Sequence, residues 1–306
     1  MASPSCNNRL YSRCLWNYVS GMDNFDTKLL ALRRARAARR SARNGLESAG
    51  FLHLHAASEI AERLEVTKRE FTRPALLFDG PFAGMICERL NSLANVGRLP
   101  EALALPQQNG HGNLGLEPES RDLIISVFDL HWMNDLPGAL AQINRALVPD
   151  GLFMAALPGA ATLGQLRNAL LSSEVELSGG AAPRVDPFAE VRQFGDLLQR
   201  TGIRLPVADH EELAVRYADV SGLIRDLRDT AATSTLAARN PGLQRKVWKK
   251  TVMDLENGRE TDGKFPVSVE IVNLSGWKQH ESQQKPLQPG SAQKKLADAL
   301  SRQGKS

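Results

Sequence analysis

The chain is 306 residues long, 42% hydrophobic and 24% charged, with a formal net charge of +4. That balance excludes an intrinsically disordered polypeptide and leaves room for one large domain or two small ones. No stretch approaches the ~20 consecutive apolar residues that cross a bilayer as a helix.

Cys6, Cys14 and Cys87 are odd in number and lack metal-ligand spacing, so they read as free thiols of a reducing compartment. A cytoplasmic location is expected from them, and no metal centre is. Residues 1–21 hold Arg9 and Arg13, no acids and many Ser and Asn. They read as a disordered extension, 1–22, ahead of the first predicted helix. That helix, 28–43, carries Arg33, Arg34, Arg36, Arg39, Arg40 and Arg43 around Leu29, Leu30 and Leu32. It is either a solvated face or a docking surface for an acidic partner or an anionic membrane surface. Nucleic acid is not expected, because no aromatic residues interleave with the arginines to stack on bases.

A second helix is predicted over 51–69 from Leu52, Leu54, Ile60 and Leu64. His53 and His55 lie two apart on it, a spacing that does not put them on one face. Ala75-Leu76-Leu77-Phe78 then reads as a buried strand, followed by the turn Asp79-Gly80-Pro81-Phe82-Ala83-Gly84 and a helix over 85–93. Backbone N–H groups at such a helix start can receive an anionic group. The Gly-x-x-x-Gly spacing is neither the dinucleotide fingerprint nor a P-loop. Residues 95–121 are polar, with one short strand expected near 97–103.

The unit over 122–157 carries the strongest pattern. Leu123-Ile124-Ile125-Ser126-Val127-Phe128 is a β-branched apolar run suited to a strand buried on both faces. A helix follows, with Asn134 or Asp135 as its cap and Pro137 in its first turn. Pro149-Asp150-Gly151 is expected to stop it before a second buried strand, 152–157. His131 and Trp132 then fall at the carboxyl end of the first strand, the edge where open α/β sheets bind ligands.

Beyond it, helices are predicted over 162–172 and 187–201, and a strand pair over 203–217 with a tight turn near Asp209. Two more helices, 219–230 and 243–255, form a cap inserted at 218–258. The final strand is expected at 265–274, followed by a polar tail, 277–306. The fold class is therefore α/β.

Several segments in combination resemble a known family. They are Asp122-Leu123-Ile124-Ile125-Ser126, Leu130-His131-Trp132-Met133-Asn134-Asp135-Leu136-Pro137-Gly138, Arg145-Ala146-Leu147-Val148-Pro149-Asp150-Gly151, Pro183-Arg184-Val185 and Val215-Arg216-Tyr217-Ala218-Asp219. The chain is similar there to class I S-adenosylmethionine-dependent methyltransferases. The branch is that of bacterial methyltransferase-like proteins related to the mitochondrial complex I assembly factor 5, with the biotin-pathway carrier-protein methyltransferases as neighbours.

The resemblance implies a Rossmann-like methyltransferase domain over 23–276, with a mostly parallel sheet, an antiparallel last strand and the helical cap. It implies S-adenosyl-L-methionine as cofactor, held by Asp79, Gly80, Phe82, Gly84, Glu101, Phe128 and Asp129. His131 and Trp132 would face a protein or small-molecule methyl acceptor, with His131 taking its proton. The alternative it implies is an assembly factor that binds or modifies a respiratory-complex subunit, as relatives that hydroxylate arginine do. The chain departs from the family's glycine motif. Phe78 stands where an acid belongs, and Phe82 stands on the middle glycine, where it is expected to wall the cofactor pocket.

Overall fold

The computed structural model describes residues 23–67, 69–93, 102–103, 112–238 and 240–283. The expected extension 1–22, Glu101 and the tail beyond 283 lie outside them. Helix α1 (Thr27–Asn44) is started by Asp26, whose carboxylate accepts from the Leu29 N–H. A short helical turn, Leu46–Ala49, leads into α2 (Phe51–Val66). Strand β1 (Pro74–Leu77) is followed by α3 (Ala83–Leu93), and β2 is the two residues Ala102–Leu103. Next come β3 (Arg121–Val127), α4 (Leu136–Ala146), β4 (Leu147–Pro158), α5 (Gly164–Ser178) and α6 (Val191–Arg200). The chain closes with β5 (Arg204–Tyr217), α7 (Val220–Asp229), α8 (Arg245–Glu256) and β6 (Phe265–Trp277).

The sheet order is β2-β1-β3-β4-β6-β5. β1 runs parallel to β2 and β3, and β3 parallel to β4 with Leu123 beside Leu152 and Val127 beside Ala156. β6 is antiparallel to both its neighbours. Alternation along the buried strands sends side chains to opposite faces. Leu123, Ile125 and Val127 join Leu152 and Met154 under α2 and α3, whereas Ile124 and Phe153 pack with Leu140 and Ile143 of α4 and Phe194 and Leu198 of α6. A third cluster, with Leu166, Leu223, Leu255 and Phe265, seats the cap helices α7 and α8 on α5 and the start of β6.

Three expectations change. The strand pair with a turn at Asp209 is one continuous strand, β5, pairing β6 from Arg204 to Tyr217. Its alternation runs through Asp209, which offers no turn residue and is clasped by Arg63 of α2 at 2.5 and 3.0 Å. Pro149-Asp150-Gly151 does not separate helix from strand: β4 begins at Leu147, and Asp150 (φ 61°) forms a bulge where the β3–β4 register shifts. The bulge is held by backbone bonds between Gly151 and Lys278 and between Asp150 and Lys278. Finally, α1 turns three of its six arginines to partners within the protein, of which only Arg34 is buried. Arg33 donates to the Thr233 carbonyl, Arg40 pairs with Asp229, and Arg34 points inward, leaving Arg36, Arg39 and Arg43 exposed.

Asp135 caps α4 through the Gly138 N–H. Asn134 does something else: its Oδ1 accepts from the Asn24 and Phe25 N–H groups at 2.9 Å each, and its Nδ2 donates to the Phe25 carbonyl. The same segment meets the cap, with Asp26 donating to the Thr235 carbonyl and Ala237 to that of Asn24. Asn134→Ala should therefore cost about 3 kcal/mol, since two buried N–H groups lose their acceptor. Urea unfolding would read this, and a loss under ~1 kcal/mol would mean water replaces the amide.

Candidate functional site

The carboxyl ends of β1 and β3 lie side by side. β3 leaves the sheet through Phe128, whose φ of 48° is strained for an aromatic residue. The next residue, Asp129, is 1% exposed. Its carboxylate accepts from the Asp79 N–H at 2.6 Å and from the Arg34 guanidinium. Arg34 also donates to the Asp79 carboxylate at 2.8 Å and lies over the Trp132 ring, 5.2 Å from its centroid. Burial pushes the Asp129 carboxyl up to about 7, against the pull of Arg34 and the Asp79 hydrogen bond. Of the residues expected here, Asp79 and Asp129 are thus brought together. Arg34 was not among them. Its signal was positional, since Leu30, Arg34, Ala37 and Ser41 form the buried stripe of α1, and an arginine on such a stripe needs partners.

The glycine turn is closed on one side and open on the other. A side chain at Gly80 would meet the Phe78 ring at 2.9 Å, whereas nothing lies within 4 Å of a Cβ at Gly84. Phe82 departs from its expected place. It is 1% exposed, and its ring packs on His53 of α2 at 4.6 Å within the core rather than walling a cavity. The physical reason is local: α2 crosses above the turn and offers an aromatic surface, so the ring is buried there.

A cavity open to solvent begins where Phe128, His131 and Trp132 leave the strand edge. Its other walls are Phe51, Leu52 and His53 of α2, Asp186 and Phe188, Leu163, Tyr217 with Val267 and Val269, and Leu223, Asp226 and Thr230 of the cap. His131 stacks on Trp132 at 4.1 Å. Burial, aided by Arg34 and His53, lowers its imidazole to about 3. Burial alone does the same for His53. Asp186 is pushed up by burial, opposed by hydrogen bonds from Ser234 and Thr235. Asp226 accepts from the Tyr217 hydroxyl, and burial raises both groups. No lysine or arginine is among the lining residues.

His131 and Trp132 are where the strand-edge argument put them. The opposite wall, from α2 and the cap, carried no local signal beyond a histidine inside the apolar run Phe51-Leu52-His53-Leu54. His55 faces away from His53 and meets Glu211 at 2.8 Å, with Glu59 also within 4.8 Å of that pair.

The family model described as "Methyltransferase domain" matches residues 88–155. The chain is 37% identical over 186 residues to the mitochondrial arginine-hydroxylase NDUFAF5 of Dictyostelium discoideum, covering 60% of this chain and 43% of that protein. It is 34% identical over 166 residues to the malonyl-acyl-carrier-protein O-methyltransferase of Gallionella capsiferriformans, covering 54% of this chain and 55% of that one. The chain thus spans about half the length of the curated relatives it matches. A solved loganic acid methyltransferase with S-adenosylhomocysteine, 11% identical, covers 79% of this chain and 97% of its own, with a TM-score of 0.50. That likeness concerns the fold alone. The matched segment, 88–155, is the central unit that forms the strand edge of the site, and beyond it the chain is similar to NDUFAF5 and to the malonyl carrier-protein O-methyltransferases over little more than half of its own length.

Proposed function

We propose that the chain transfers a methyl group from S-adenosylmethionine to an acceptor held in the cavity beside His131 and Trp132. The observation that carries this is the Arg34–Asp79–Asp129 cluster at the carboxyl ends of β1 and β3, continuous with that cavity through Phe128 and Trp132. Of this cluster the Asp79 carboxylate, whose side chain is 23% exposed, is the group open to the cofactor's ammonium, and the buried Arg34 and Asp129 hold it in place. The open face at Gly84 leaves the first turn of α3 accessible. The ribose partner expected at Glu101 lies outside the described residues. When bound, the sulfonium supplies an activated methyl group, so the protein's share is positioning and exclusion of water. Phe128 and Trp132 supply apolar walls for that, and burial keeps His131 neutral, ready to accept a hydrogen bond from the acceptor.

Calorimetric titration with S-adenosylmethionine and S-adenosylhomocysteine tests this reading. The wild type should bind both, and a folded Gly84→Val variant should bind neither, because the branched side chain fills the space at the start of α3. Undiminished affinity in Gly84→Val would move the ligand elsewhere, and a silent wild type would reject methyl transfer.

A second reading takes the chain as a protein-binding assembly factor acting on a respiratory-complex subunit. The exposed row Arg36, Arg39 and Arg43 on α1 favours it, as a surface for an acidic protein partner. A silent titration would leave this reading in place of the first.

A further inference from the structure

Outside the cavity, α2 and the edge strand β5 bring three metal-ligating side chains together. His55 and Glu59 stand four residues apart on α2, a spacing that sets both side chains on one face of the helix. Glu211 reaches them from β5, with a carboxylate oxygen 2.8 Å from His55 Nε2. One ligand atom from each of the three lies within 4.8 Å of the other two. All three side chains are partly open to water, at 36% for His55, 31% for Glu59 and 29% for Glu211, so an ion from solvent can enter between them.

The charges of this cluster do not balance. The cation paired into it is Arg63, and its guanidinium is taken up by both oxygens of Asp209, at 2.5 and 3.0 Å. It meets Glu59 only at 3.9 Å. With Arg63 and Asp209 cancelling, Glu59 and Glu211 are left as two like charges that repel at this range. A proton on His55 would answer one of them, whereas a divalent cation answers both.

The donor set narrows the ion. One imidazole nitrogen with two carboxylate oxygens suits a divalent transition metal such as zinc, whereas magnesium and calcium favour shells of oxygen alone. Zinc bonds these atoms at about 2.0 to 2.2 Å, which draws tetrahedral ligand atoms to roughly 3.4 Å apart. Glutamate side chains that are partly exposed reach that spacing by rotation.

We infer that His55, Glu59 and Glu211 form a divalent transition-metal site that clips α2 to β5. Three protein ligands leave a coordination position for water. Because α2 also supplies Phe51, Leu52 and His53 to the cavity, the clip fastens that wall to the sheet. The site does not rest on the methyl-transfer reading.

The test is calorimetric titration of the metal-free full chain with zinc chloride and with magnesium chloride. Zinc should bind at one ion per chain, and magnesium should not bind. His55→Ala and Glu211→Gln should each weaken zinc at least about tenfold. His210→Ala, which removes an exposed imidazole next to Glu211 in the chain, should leave zinc affinity unchanged. Zinc at about a hundred times its Kd should raise the melting temperature of the wild type by about 5 °C and that of neither ligand variant. Melting curves without metal report that the variants are folded. Cobalt(II) in place of zinc should absorb in the visible without a thiolate charge-transfer band, which separates this site from the cysteines. A wild type that takes up no zinc, undiminished affinity in either ligand variant, or a thiolate band would overturn the inference. So would magnesium that binds as tightly as zinc.

Discussion

Arg34→Ala is expected to destabilise the chain by about 3 to 5 kcal/mol and to abolish S-adenosylmethionine binding, the first effect being the usual loss when one partner leaves a buried ion pair. Arg34 is 8% exposed and Asp129 1%, so neither can turn to water when the other is removed. Asp129 would keep only the Asp79 N–H. Deprived of its cation, it should take up a proton, since burial already pushes it up to about 7 with Arg34 in place. The Asp79 carboxylate is less affected, because its side chain is 23% exposed. The double variant Arg34→Leu, Asp129→Asn should recover much of the stability but none of the cofactor binding, as removing both charges leaves no buried ion to desolvate. Chemical unfolding near pH 8 together with calorimetry separates the two effects. A cost under ~1 kcal/mol for Arg34→Ala would show that the cluster behaves like a surface pair.

How much of this was legible beforehand follows from where each signal is stored. The β3–α4–β4 unit could be read because its information is local: β-branched runs for strands buried on both faces, Asp135 as a cap with Pro137 behind it, and a strand edge that places His131 and Trp132. The helical cap between β5 and β6 was readable for the same reason. β5 reads from sequence as two strands because an aspartate in an exposed strand resembles a turn residue, and only Arg63 from α2 shows why it is not one. Arg34 was seen as one of six arginines on a basic helix, although its stripe, with Leu30 and Ala37, set it apart. Phe82 could be placed on a motif position but not given a direction, since that depends on α2 lying above it. The far wall of the cavity was beyond reach, because α2 and α7 meet there only through the tertiary fold.

Stability should also respond to acid through His53, in a way that one substitution isolates. The folded chain holds His53 neutral down to about 3, while the unfolded imidazole takes a proton near 6.5. Between those values the unfolded state carries one more proton than the folded one. Stability therefore falls as pH falls, by about 1.4 kcal/mol per pH unit for this group. His131, also lowered to about 3, contributes a second step of the same sign. Asp129 opposes them, since its folded form keeps a proton below about 7 that the unfolded carboxylate releases down to roughly 3.9. The raised carboxyls of Asp186 and Asp226 oppose them too, so the wild-type profile is shallower than two histidines alone would give. His53→Phe removes one proton from the unfolded side and preserves the stack on Phe82. Measured by urea unfolding from pH 7 to pH 4, the variant should gain on the wild type by about 1.4 kcal/mol for each unit of acidification below 6.5. Parallel profiles for the two proteins would mean that the folded chain protonates His53 as readily as the unfolded one. The imidazole would then be hydrated in the folded chain.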